Sequence, residues 1–82
     1  MNLIIDLSQN PCLILKQDNK EISSHKWDGF YQLGETLLLE IDKILKKNKI
    51  KLKDLKEIKV IPSKKSIVST RIAKVVALGL KV

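Results

Sequence analysis

The chain has 82 residues, 44% hydrophobic and 30% charged, with 16 Lys and Arg against 9 Asp and Glu for a net charge of +7. That is one domain, residues 1–82, with a marginal core and too much apolar material for disorder. A lone Cys12 excludes an internal disulfide and fits a reducing, cytoplasmic compartment, and neither the Asp6-interrupted start nor the charged C-terminal segment reads as a signal peptide or a membrane span.

Leu3 to Leu7 is a short Leu/Ile run closed by Ser8-Gln9-Asn10-Pro11, the pattern of a buried strand. Cys12 to Gln17 reads as a second strand, and Asp18-Asn19 as the tight turn of a hairpin. Glu21 to Trp27 alternates weakly and reads as a polar edge strand, broken by Asp28-Gly29. Phe30 to Lys47 repeats its apolar residues at Phe30, Leu33, Leu37, Leu38, Ile41, Ile44 and Leu45, the 3.6-residue period of a helix. Leu39 lies off that stripe, which gives the helix a second apolar side.

Asn48 to Lys56 is a basic connector in which Leu52 and Leu55 anchor a short turn. Glu57 to Ile61 alternates and reads as a fourth strand, stopped by Pro62. Ser63 to Ser66 is a loop with Ser66 as helix N-cap. Ser66 to Val82 is a helix with Arg71, Lys74 and Lys81 on one narrow stripe and Ile, Val, Leu or Ala in nearly every other direction. A helix apolar nearly all round must be covered nearly all round, and a chain this short has little to cover it with.

The element order is therefore β-β-β-α-β-α. Three strands form an antiparallel meander, and the fourth returns beside the first through a right-handed helical crossover. The expected result is an α/β fold with a four-stranded mixed sheet in the order 3-2-1-4 and two helices on one face.

That order is the opening of a ribonuclease-H-like fold, the unit of actin-like ATPase lobes. Ile5-Asp6-Leu7-Ser8 resembles the Ile-Asp-Thr-Ser that opens the TsaB family of tRNA threonylcarbamoyladenosine biosynthesis. Leu37-Leu38, Ile41-Asp42, Leu45, Leu52, Asp54-Leu55 and Ile58-Lys59-Val60 follow that family's first helix, connector and fourth strand without a gap. Ser66 to Ala73 is similar to its Gly-Ser-Phe-Thr-Gly-x-Arg-Ile-Gly segment, and Ala77-Leu78-Gly79-Leu80 to its Ala-Lys-Gly-Leu ending. The likeness covers all 82 residues but only the first part of the family's N-terminal lobe. Family glycines are replaced by Ser63, Lys65, Ser69 and Ala73, and the His of its His-Ser-Glu sequence by Leu33, with Glu35 kept.

Chemistry-bearing residues are few. Asp6 occupies the strand end where ATPases of this superfamily organise metal and phosphates, or it serves as a turn-forming residue. One His (His25) and one Cys (Cys12) fall short of a zinc site, and a Cys12–His25 pair across the hairpin lacks a third member. Gly29, Gly34 and Gly79 are too far apart for a phosphate loop. Lys64-Lys65 between Ser63 and Ser66 is either an anion-binding helix start or a charged loop. Trp27, Phe30 and Tyr31 either stack a base, anchor a partner or plug the core under the first helix. No catalytic residue, cofactor or metal site is expected, and no enzyme activity.

The apolar surplus points to a partner. The resemblance implies that both helices join a four-helix interface with a TsaD-like subunit, or with a second copy, and that the chain supports a tRNA modification carried out by that subunit. The expected interface residues are Leu37, Leu38, Ile41, Ile44 and Leu45 on the first helix and Ile72, Val75, Val76 and Leu80 on the second. The alternative is a small basic nucleic-acid-binding homodimer, with Lys49, Lys51 and Lys53 as tRNA contacts. Fifteen of the sixteen basic residues are Lys, scattered, with Arg71 the only Arg. A solvated lysine-rich surface fits that pattern better than a dedicated phosphate-gripping face.

Overall fold

The computed structural model describes residues 1–27 and 33–80, the last by its backbone alone. Strands β1 (Asn2–Asp6), β2 (Cys12–Gln17) and β3 (Lys20–Lys26) precede helix α1 (Leu33–Lys47). A single 3-10 turn (Leu52–Asp54), strand β4 (Glu57–Ile61) and helix α2 (Ile67–Leu80) follow. The sheet order is β3-β2-β1-β4, with β4 parallel to β1 and the other pairs antiparallel. This is the α/β topology expected from the sequence. The helix predicted from Phe30 is observed from Leu33 onward; Asp28, Gly29, Phe30 and Tyr31 lie outside the described residues, as does Lys81.

The hairpin between β2 and β3 turns on Asp18 and Asn19, whose φ angles of 52° and 66° are those of a primed turn. Asp and Asn are the non-glycine residues that tolerate this left-handed region best. Register then separates the sheet faces, because side chains alternate along each strand. Leu3 lies opposite Leu15 and Ile58, and Ile5 opposite Leu13 and Val60. Leu3, Ile5, Leu13, Leu15 and Ile58 are buried in one cluster with α1 residues and with Ala73 and Ala77 of α2, so both helices sit on this face.

The other face carries Asn2, Asp6, Lys16, Glu21, Ser24, Lys26, Glu57 and Lys59 around Ile4, Ile14, Ile61 and Cys12. Such a mixed, largely polar face of a meander tolerates water, and among the described residues no helix packs on it.

Each helix is anchored by local chemistry. α1 ends in a Schellman motif: the Ile50 N–H donates to Leu45 O at 2.9 Å and the Lys49 N–H to Lys46 O at 3.1 Å. Lys49 takes the left-handed position at φ 56°, where glycine is usual. α2 starts as expected, with Ser66 Oγ accepting the Ser69 N–H at 3.1 Å. The preceding loop is tied down by Ser63. Its Oγ accepts the Lys65 and Ser66 N–H groups, and its own N–H donates to Thr70 Oγ1 at 2.9 Å. The two helices meet closely at Gly34, where a β-carbon would lie 3.5 Å from Ile72 Cγ2.

Candidate interaction surface

α2 is built inside out. The residues it turns to the core are small: Ser69, Thr70, Ala73 and Ala77 are buried. Ile72 and Val76 lie half-buried at the margin of that stripe. The large side chains face outward, with Ile67, Val68, Val75 and Leu78 each between 66% and 71% exposed. Helical geometry explains the division. Positions 69, 73 and 77 recur every four residues on one face, and small side chains there let the helix axis approach the sheet. Arg71 and Lys74 are exposed within the outward arc.

α1 is arranged the other way. Leu33, Leu37, Ile41, Ile44 and Leu45 are all buried against the chain's own sheet. Four of the expected interface residues, Leu37, Ile41, Ile44 and Leu45, are therefore core residues of this domain and not surface ones. A chain of this size needs its most regular apolar stripe for itself. Leu38 is 49% exposed and remains available, as does Leu39 at 61%. Of the expected α2 set, Val75 is exposed and Ile72 and Val76 are partly so; the side chain of Leu80 lies outside the described residues. Ile67, Val68 and Leu78, the other large exposed side chains of α2, are not among the residues expected from the sequence. The signal that finds them is residue size around the wheel rather than polarity.

Leu38 also borders a groove of ≈ 480 Å³ lined by Ile41, Leu45, Ile50 and Leu52, with Asp42, Lys46 and Lys51 beside them. It extends the exposed apolar surface from the outer side of α1 to the connector.

The remaining candidates are engaged locally or held apart. Asp6 Oδ1 accepts the Ser8 N–H at 2.9 Å and the Ser8 hydroxyl at 2.6 Å, so Asp6 shapes the turn after β1. Cys12 pairs across the sheet with Lys26, and His25 with Leu13, which puts Cys12 and His25 on opposite faces and rules out their action as a pair. Burial holds the Cys12 thiol above its ordinary pKa, against Lys26, whose charge pulls the other way. His25 contacts Glu40 of α1 and stacks on Trp27, ring centroids 6.0 Å apart. Trp27 packs against the core; Phe30 and Tyr31 lie outside the described residues.

The N–H groups of Ser63, Lys65, Ser66 and Ser69 are taken up by the hydroxyls of Thr70, Ser63 and Ser66, and Lys64 and Lys65 are exposed on the loop that these bonds brace. Lys49, Lys51 and Lys53 are exposed on the connector. The Lys51 N–H donates to Asp54 Oδ2 at 3.0 Å, placing a carboxylate among them.

Among the described residues no three His, Cys, Asp or Glu side chains come together as a metal site, and no helix is long and apolar enough to cross a membrane. No protein-family model matches the chain, and no curated protein matches it either.

Proposed function

We propose that the chain is a non-catalytic partner-binding module whose helical layer docks on another protein, with α2 as the principal contact and Leu38 and Leu39 of α1 beside it. The observation that carries this is the outward set Ile67, Val68, Val75 and Leu78 on a helix whose inward residues are small. Covering these four with Leu38 and Leu39 is worth on the order of 5–10 kcal/mol before the costs of association. The local resemblance to the TsaB family supplies the candidate partner: a TsaD-like enzyme of tRNA threonylcarbamoyladenosine formation, which this chain would bind and stabilise.

The test is to mix the chain with the TsaD-like protein of its own organism and run sizing chromatography. A complex is expected, and Val75→Asp should abolish it without lowering the melting temperature of the chain. Absence of a complex, or a complex indifferent to Val75→Asp, overturns the reading. A competing reading, nucleic-acid binding through Lys49, Lys51 and Lys53, predicts tRNA affinity that falls steeply with salt and drops when those lysines are neutralised.

A further inference from the structure

No Asp or Glu follows Glu57, whereas six basic residues do: Lys59, Lys64, Lys65, Arg71, Lys74 and Lys81. On α2, Ile67, Arg71, Lys74 and Leu78 succeed one another at steps of four, three and four residues and so form one stripe. Val68, Ile72, Val75 and Gly79 repeat the same steps on the adjoining stripe, about 100° round the helix. Steps of three and four are the spacing of a helix–helix seam. The outward arc of α2 is therefore an apolar seam flanked by a stripe with two cations at its centre.

We propose that α2 receives an acidic helix of a different protein. Its apolar side chains lie on Val68, Ile72 and Val75, and its carboxylates, three or four residues apart, meet Arg71 and Lys74. This rests on the partner-binding reading above and specifies the chemistry of the partner.

A second copy of this chain fits the seam poorly. Packing α2 on the same helix of a copy sets Arg71 and Lys74 against their own equivalents, with no carboxylate on either helix. Packing it on the copy's α1 leaves Glu35 as the one carboxylate without an ion pair among the described residues of that helix, with Leu38 and Leu39 three and four residues on where the seam would need a second. Glu40 is matched with His25 and Lys43, and Asp42 with Lys46 at 2.9 Å. Each copy also brings a net charge of +7, and like charges brought together disfavour the encounter. An anionic membrane surface fits no better. Helices that lie on membranes segregate their apolar and basic faces. Here the cations stand in line with Ile67 and Leu78, and the opposite side is packed on the domain through Ala73 and Ala77.

Two synthetic amphipathic helices test this, both with Leu at the seam positions, one flanked by Glu and the other by Lys. Their binding to the full chain is read by fluorescence anisotropy. The Glu-flanked helix should bind at least about tenfold more tightly, with the preference shrinking between about 50 mM and about 500 mM salt. The double variant Arg71→Glu with Lys74→Glu should reverse the preference. The same charge change on the far sheet face, Lys16→Glu with Lys26→Glu, should leave it in place, which separates a local match from attraction to a basic protein at large. Equal binding of the two helices, or reversal by the far-face variant, overturns the acidic partner while leaving the interface standing. Failure of both helices to bind overturns the interface itself. A homodimer lost on Val75→Asp, or tighter binding to phosphatidylserine vesicles than to the Glu-flanked helix, also overturns the proposal.

Discussion

α1 and α2 lie side by side on one sheet face and solve opposite problems. α1 hides Leu33, Leu37, Ile41, Ile44 and Leu45 and shows Glu35, Asp42, Lys43, Lys46 and Lys47 to water, with Leu38 and Leu39 its only large exposed apolar side chains among the described residues. α2 hides Ser69, Thr70, Ala73 and Ala77 and shows Ile67, Val68, Val75 and Leu78. The first pattern is what a fold needs from a helix. The second places the large side chains where the fold gains little from them, and the partner-binding proposal rests on that placement. Apolar content alone does not distinguish these two arrangements; the distribution of size does.

The sharpest way to break this contrast is a pair of substitutions followed by urea unfolding. Leu37→Ala should cost about 2–5 kcal/mol, a large share of the ~5–15 kcal/mol typical of a domain. Val75→Asp, on the outward arc, should stay within about 0.5 kcal/mol. Equal losses would mean that α2 is as much a core helix as α1.

The next effect concerns size on the inward side of α2. Ala73→Leu should cost about 1–3 kcal/mol by overfilling the space against the sheet. Enlargement on the outward side has no such consequence: nothing lies within 4 Å of a β-carbon at Gly79, and Gly79→Ala should stabilise the helix by up to about 1 kcal/mol.

A smaller change sharpens the picture of α1. Lys49 holds a left-handed backbone at the end of that helix. Lys49→Gly should raise stability by about 0.5–1 kcal/mol, read as a higher denaturation midpoint.

The smallest effect lies on the far sheet face, away from both helices. The fold raises the Cys12 pKa through burial, so the unfolded chain releases the thiol proton first. The stability this contributes is fully present below the ordinary thiol value of about 8.5 and is lost as pH rises through the folded pKa. Wild type should therefore lose stability relative to Cys12→Ala only above about pH 8.5, and the folded thiol should react slowly with iodoacetamide at neutral pH.

Much of the architecture was legible because strong punctuation frames it. Pro11 and Asp18-Asn19 bracket β2, and Pro62 closes β4, so both strands have the bounds their residues suggest. β1 begins at Asn2 rather than Leu3 because Asn2 finds partners in Lys16 and Glu57, which residue type cannot reveal. The site was read less well. A wheel of α2 shows apolar residues almost everywhere, and the deciding detail is that Ala73 and Ala77 share a side. The stripe of α1 was found at Leu33, Leu37, Ile41, Ile44 and Leu45, but Leu38, read with it, is exposed, and where the stripe goes depends on how much sheet needs covering. The incompatibility of Cys12 and His25 follows from the pairing of Cys12 with Lys26, and a strand register is fixed only once its neighbours are known.

The two rims of the sheet bear on how this domain avoids its own kind. β3 presents Lys20, Glu21 and Lys26, and its pairing with β2 slips by one residue between Leu15 and Lys16. β4 presents Glu57 and Lys59 and is cut short by Pro62. Charges, a bulge and a proline are devices that stop strands from adding edge to edge into fibrils. With both rims blunted in this way, growth by strand addition is discouraged, and the sheet edges are poor templates for a further strand.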